Sequence, residues 1–241
     1  MRAMPHPVIA FDLDGTLVDT APDLIATLNS VLVEKGVPTV SLKSARALIG
    51  GGVKALLERG LLAQKIAFTP ADLDELYGIY LQRYAEHIAD HSRPFPGVEA
   101  ALDRLEQQGY GFAICTNKLE WLSLRLLDAL KLSQRFAAIC GQDTFGLPKP
   151  DPAMFRKTII KAGGDPGNAL LVGDSVVDVN TARAAGVPII AVDFGYTETP
   201  VHLFSPDRVI SGFAELPAAV RDLLPQEATS PAIRQLGSRR S

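Results

Sequence analysis

Short apolar runs alternate along most of the chain with stretches of helical period. Val8-Ile9-Ala10-Phe11, Gly111–Cys115, Ala137–Cys140, Leu170–Val172 and Ile189–Val192 lack the in-out alternation of a half-exposed strand. They read as strands covered on both faces. Between the later runs lie helix-length segments with recognisable stops. One spans about Val98–Gln108 and ends at Gly109; another spans about Glu120–Lys131. A third follows Asp151-Pro152, with proline in its first turn, and stops at Gly163-Gly164. A fourth spans about Asp178–Ala185 and ends at Gly186-Val187-Pro188. Strand-helix alternation of this kind predicts an α/β fold, an open parallel sheet with helices on both faces.

One stretch departs from the alternation. From about Pro22 to His91 no strand pattern is visible, but three helical stripes are. Leu24, Ile25, Leu28, Val31 and Leu32 form one, and Val53, Leu56, Leu57, Gly60 and Leu61 a shorter second. Leu73, Leu76, Tyr77, Tyr80, Leu81, Tyr84 and Ile88 form the third. Core packing accounts for such stripes. The chain is therefore expected to consist of a sheet core at residues 1–21 and 92–225, with a helical bundle inserted at 22–91. Arg93–Gly97 reads as the return linker. Residues 226–241 lack periodicity and are expected to form a loose tail.

Composition narrows the functional classes. Of 241 residues, 47% are hydrophobic and 21% charged, which fits a folded chain of one core domain and an accessory unit. Net charge is −3 and no basic run would track a nucleic-acid backbone. Two cysteines, Cys115 and Cys140, each inside an apolar run, do not make a disulfide framework. No apolar stretch approaches the roughly 20 residues that span a bilayer. Met1–Pro7 holds no apolar signal core, and Met4 is an alternative start. A cytoplasmic protein, monomer or homodimer, with no membrane or nucleic-acid partner is expected.

In an open parallel sheet, ligands bind at the carboxyl ends of the strands. The residues that follow the apolar runs are acidic or small and polar: Asp12-Leu13-Asp14-Gly15-Thr16, Thr116-Asn117-Lys118, Gly141-Gln142-Asp143 and Gly173-Asp174-Ser175. Acids gathered on one rim repel one another and favour a divalent cation, and all-oxygen ligation points to Mg2+. Asp12 can attack phosphorus as a carboxylate nucleophile. Asp14 can protonate the leaving alcohol and then activate water. A lone Asp-x-Asp-Gly is otherwise a turn or a cation loop. Thr116 and Asn117 can bind phosphate oxygens or cap a helix. Lys149, between Pro148 and Pro150, can neutralise phosphate or the aspartates, or stand as a solvated loop lysine. Asp174 completes a metal site. Asp178 can orient that site or Lys149, or serve as a helix N-cap.

Taken in order, Asp12-Leu13-Asp14-Gly15-Thr16-Leu17-Val18-Asp19-Thr20, Thr116-Asn117, Lys149-Pro150 and Gly173-Asp174-Ser175 with Asp178 resemble the four motifs of the haloacid dehalogenase-like hydrolases. The resemblance covers about Val8–Leu224. It implies a Rossmann-like core with a helical cap, with Asp12 as nucleophile and Asp14 as acid/base. It further implies that Thr116 and Lys149 stabilise the phosphate, and that Asp12, Asp174 and the main-chain carbonyl of Asp14 hold Mg2+. Within the superfamily, Ala21-Pro22-Asp23-Leu24, Ile49-Gly50-Gly51-Gly52, Thr116-Asn117-Lys118 and Phe194-Gly195-Tyr196 are similar to the phosphoglycolate phosphatases, although Phe194 stands where Tyr is more usual there.

The expected function is Mg-dependent hydrolysis of a small phosphorylated metabolite, 2-phosphoglycolate by this resemblance. Asn117, Gly51 and Gly52 would bind substrate, with Arg46 or Lys54 near its carboxylate. A phosphatase for a sugar phosphate, nucleotide or pyrophosphate, and a phosphomutase, share the same core. A dehalogenase would not need Asp14, and a phosphonate hydrolase would need a cap lysine in a Schiff-base setting. A non-enzymatic phosphate-binding module would be expected to have lost an acid, yet Asp12, Asp14 and Asp174 are all present.

Overall fold

The computed structural model describes residues 6–42, 49 and 51–225. Six strands, β1 (Val8–Phe11), β4 (Gly111–Cys115), β5 (Ala138–Cys140), β6 (Ala169–Gly173), β7 (Ile189–Val192) and β8 (Arg208–Ile210), form one sheet. Their order is β5-β4-β1-β6-β7-β8, and every neighbouring pair is parallel. Ile9 stands opposite Phe112 on one side and Leu170 on the other, which puts β1 at the centre.

The missing alternation has a direct cause. Ile9 and Phe11 enter one apolar cluster, with Phe112, Ile114, Leu170 and Val172. Val8 and Ala10 enter a second cluster across the sheet, with Ala113, Cys115 and Leu171. Helices α6 (Pro152–Lys161) and α7 (Val176–Ala185) supply Met154, Phe155, Ile159, Val179 and Ala182 to that second cluster. Helices α4 (Val98–Gln107), α5 (Glu120–Ala129) and α8 (Leu216–Leu223) cover the first. With both faces covered, no position of β1, β4, β6 or β7 selects a polar side chain.

The helix stops fall near their glycines: Gly109, Gly163 and Gly186 all have left-handed φ. Helix α7 starts two residues before the expected Asp178, because Ser175 is its N-cap. The Ser175 side chain accepts from the Asp178 N–H, and Asp178 Oδ2 accepts from Ser175 N and Oγ at 3.1 and 2.6 Å. Asp178 is thus the third residue of a capping box rather than the N-cap.

Between β2 (Val18–Asp19) and β3 (Arg93–Pro94) the chain builds a helical cap, from α1 (Ala21–Glu34), α2 (Val53–Ala63) and α3 (Pro70–Glu86). Proline opens α1 and α3, and α3 carries a Thr69/Asp72 capping box. The predicted stripes face inward: Leu28, Leu57, Tyr80 and Tyr84 are among the largest fully buried side chains. A Cβ on Gly60 would come within 3.1 Å of Leu28, so glycine there permits close approach of α1 and α2. The linker at Arg93–Gly97 includes β3, which pairs antiparallel with β2 and brings the two crossings side by side. Asp23 fastens the return: its carboxylate accepts from His91 N at 3.0 Å, Ser92 N at 2.7 Å and Ser92 Oγ at 2.6 Å. No described helix is long and apolar enough to cross a membrane. Residues 226–241, expected as a tail, and Met1, Met4, Arg46 and Gly50 lie outside the described residues.

Candidate active site

Because the strands are parallel, their carboxyl ends share one rim, and a cavity of about 620 Å³ opens there under the cap. Asp12, Asp14, Thr116, Asn117, Lys149 and Asp174 line it from the core, and Gly51 and Gly52 from the cap. Asp178 lies just behind, fully buried.

Asp12 leaves the end of β1 with its N–H still on the sheet, donating to Val172 O at 2.9 Å. Its Oδ1 accepts from Leu13 N at 2.7 Å, and Oδ2 stands 3.0 Å from Lys149 Nζ. Lys149 Nζ also reaches Asp178 Oδ1 at 2.5 Å. Lys149 is therefore not a solvated loop residue but a buried ammonium between two carboxylates. Its main chain is clasped by Asn117, whose amide donates to Lys149 O at 3.0 Å and accepts from Lys149 N at 2.8 Å. The Asn117 side-chain amide is engaged in this clasp, and Asn117 also lines the cavity. The Thr116 hydroxyl stands near enough to the Asp12 carboxylate to favour its ionised form.

Asp174 follows β6. Its Oδ1 accepts from Thr16 Oγ1 at 3.2 Å, and its Oδ2 from Tyr196 N at 2.8 Å. Close approach explains the glycines around it: a Cβ on Gly195 would lie 2.2 Å from Asp174 Cβ. Oxygens of Asp12, Asp174 and Asp178 all lie within 4.8 Å of one another. These three buried carboxylates face a single ammonium, an excess of negative charge that a low-dielectric site tolerates poorly. Burial pushes Asp12 up to about 6 against the pull of Lys149. Burial, with Asp178 and Asp12 adding, pushes Asp174 up to about 8. Burial alone would lower Lys149, but Asp12 and Asp178 outweigh it and hold the ammonium protonated. A hard divalent cation suits this all-oxygen, over-acidic donor set.

A pH dependence follows. Carboxyls whose folded values exceed their ordinary 3.8 bind protons on folding, so metal-free stability is greatest on the acid side. It falls as pH rises from about 4 through the value of about 8 for Asp174. In EDTA the melting temperature is expected to drop between pH 5 and 8 by the equivalent of a few kcal/mol. Asp174→Asn should flatten that slope, and Mg2+ should restore stability at pH 8. Thermal melts across this range check it; a melting temperature that rises with pH in EDTA would refute the charge argument.

Several features were not visible in the sequence. Lys118 is buried, with Nζ at 3.0 and 3.2 Å from the two carboxylate oxygens of Asp14 and 2.9 Å from Tyr84 Oη. Its place after Thr116-Asn117 was the available signal. Tyr196 Oη accepts from Thr20 N and Ala21 N at 2.7 and 2.9 Å and bonds Asp19 Oδ1 at 2.7 Å, so one residue touches both Asp174 and the start of the cap. In the cap, Gly52 caps α2 at φ 88°. Of the two cations expected nearby, Arg46 lies outside the described residues and Lys54 pairs with Asp74 at 2.5 Å, while Arg59 lines the cavity. Cys115 is buried under the rim, its thiol pushed up to about 12 by burial, which leaves it an unreactive thiol.

Residues 9–192 match the family model described as haloacid dehalogenase-like hydrolase. The chain is 48% identical over 221 residues to a phosphoglycolate phosphatase of Mesorhizobium japonicum, an alignment that covers 92% of this chain and 97% of the relative. It is 44% identical over 216 residues to one of Caulobacter vibrioides, covering 90% and 91%. Among solved structures, a predicted phosphoglycolate phosphatase from Haemophilus somnus superposes with a TM-score of 0.83 at 30% identity, covering 89% of this chain and 98% of that one.

Proposed function

The chain belongs to the haloacid dehalogenase-like hydrolases and is a phosphoric monoester hydrolase, and on that premise we propose that it hydrolyses 2-phosphoglycolate to glycolate and phosphate, with Mg2+, through an aspartyl-phosphate on Asp12. The observation that carries this reading is the pair Asp12 and Asp14 on one cavity wall, with Lys149 Nζ 3.0 Å from the Asp12 carboxylate.

In the proposed sequence, the Asp12 carboxylate attacks phosphorus while the P–O bond to the leaving group breaks. Asp14 gives its proton to the departing alkoxide. Asp14 then takes a proton from water as that water attacks the acyl phosphate, which frees Asp12 and inorganic phosphate. Lys149, kept charged by its two carboxylates, and the Thr116 hydroxyl face the phosphoryl oxygens as charge spreads over them. Asp12 and Asp174, with the Asp14 main-chain carbonyl and Asp178 behind, would hold Mg2+, which supplies neutralising charge to the phosphoryl oxygens when bound. The cap shields the rim from bulk water. Its Gly51-Gly52 turn, at the amino end of α2, and Arg59 on the cavity wall are proposed to read the substrate carboxylate. The relatives named phosphoglycolate phosphatase support this choice of substrate.

The test is phosphate release from a panel of small esters, including 2-phosphoglycolate, sugar phosphates, a nucleotide and pyrophosphate, each with Mg2+ and with EDTA. A strong preference for 2-phosphoglycolate that EDTA removes is expected. Faster turnover of a sugar phosphate would replace the substrate and keep the mechanism. Undiminished turnover in EDTA would sink the metal assignment.

A further inference from the structure

Lys118 is held from several directions. Its N–H donates to Thr116 Oγ1 at 3.2 Å, and its carbonyl accepts from Gln142 N at 3.2 Å. The strand-end loops are pressed together there: a Cβ on Gly141 would lie 2.4 Å from Lys118 O. The backbone is therefore fixed, and the side chain runs buried to a defined end point. At that end Nζ lies 3.0 and 3.2 Å from Asp14 Oδ1 and Oδ2. It also donates to Tyr84 Oη at 2.9 Å and sits 4.5 Å from the centre of the Tyr84 ring. Tyr84 belongs to cap helix α3, and is itself fully buried against Tyr80 with ring centroids 5.9 Å apart.

Asp14 stands on a turn, partly exposed at the cavity, and both of its carboxylate oxygens are on Lys118. A carboxylate on a turn has two side-chain torsions free to rotate. A bifurcated charge-assisted contact removes that freedom. We infer that Lys118 is a positioning residue for Asp14, holding its carboxylate at the leaving-group side of the cavity and tying that position to the cap through Tyr84. The inference rests on the proposed role of Asp14 as proton donor. It adds that the donor is in place only while Tyr84 is, so seating of the cap and readiness of the acid are one event. For the donor step Asp14 carries the proton on one oxygen and keeps the other on Lys118, which itself gives up no proton in this scheme; the part of Lys118 is geometric.

The leaving group separates this role from a merely structural one. Glycolate leaves as a strongly basic alkoxide and needs the proton, whereas 4-nitrophenolate is a weak base that leaves without it. Phosphorylation of Asp12 governs kcat/KM for both esters. Lys118→Met is expected to lower kcat/KM for 2-phosphoglycolate by about 10- to 100-fold, and for 4-nitrophenyl phosphate by less than roughly threefold. Tyr84→Phe, which removes one hydroxyl from a buried ring, should show the same skew at smaller size, and decides the matter if Lys118→Met does not fold. Equal losses on the two esters, or no loss on either, would overturn the inference. Asp14→Asn is read alongside. A skew there with none in the Lys118 and Tyr84 variants overturns the positioning role alone. No skew in Asp14→Asn overturns the acid role, and this inference with it.

Discussion

Asp12→Asn is expected to lower kcat by on the order of 10^4-fold or more while leaving the protein folded. The substitution keeps the shape of the side chain, and the amide oxygen can still accept from Leu13 N. Lys149 keeps its other partner, Asp178, at 2.5 Å. What is lost is the proposed nucleophile, and its neighbours are engaged elsewhere: Asp178 is fully buried behind the rim, Asp174 accepts from Thr16 and Tyr196, and the Asp14 carboxylate is on Lys118. Because one of three crowded carboxylates is removed, the melting temperature in EDTA should hold or rise. Phosphate release and thermal melts on the same preparation check both halves. A variant that retains more than about a hundredth of wild-type turnover would place the covalent step elsewhere.

Lys149→Met is expected to lose on two fronts. Turnover should fall by about 10^2- to 10^3-fold, the usual consequence of removing one preorganised charge from a developing anion. Stability at neutral pH should fall by about 3–5 kcal/mol, because the ammonium is the partner of both Asp12 and Asp178 and its removal leaves buried carboxylates without compensation. Those carboxylates can escape only by taking protons, so the deficit should grow as pH rises from 5 to 8. Adding Asp178→Asn should return part of the stability, since an amide oxygen can still close the Ser175 capping box, but none of the activity. Denaturant titrations at two pH values separate these effects. A deficit independent of pH would mean that packing, not charge, is the cause.

The central strands were legible because they are apolar on both faces, the pattern of a sheet covered on both sides, and because helix-length segments alternate with them. Strand β8 escaped notice for the opposite reason: at the edge, Arg208 and Val209 are exposed and only Ile210 is buried. Asp12 and Asp174 were legible because each stands at the end of an apolar run, and Asp14 because it lies two positions beyond Asp12. Their partnerships were not. Whether Asn117 points at a ligand or back at Lys149 depends on where the loop after β5 passes, and no local spacing encodes that. Lys118 meets Asp14 and Tyr84 across separations of 104 and 34 positions, and Tyr196 meets Thr20 across 176. A long flexible side chain announces its charge in the sequence but not its destination. The same freedom sent Lys54 to Asp74 and left the cavity wall to Arg59.

The pairing of β2 with β3 bears on how this architecture can change over generations. Val18 stands opposite Pro94 and Asp19 opposite Arg93, so the chain re-enters the core beside the point where it left. To the sheet, everything between is a closed loop whose ends are already met. Loop-closure entropy rises only logarithmically with length, by about 0.6 kcal/mol per doubling. Insertions, deletions or wholesale exchange of the segment between Asp19 and Arg93 therefore leave the register of the six strands almost untouched. The segment proposed to read the substrate can be reworked while the rim that carries Asp12 stays as it is, provided the newcomer still offers Lys118 an acceptor where Tyr84 now stands.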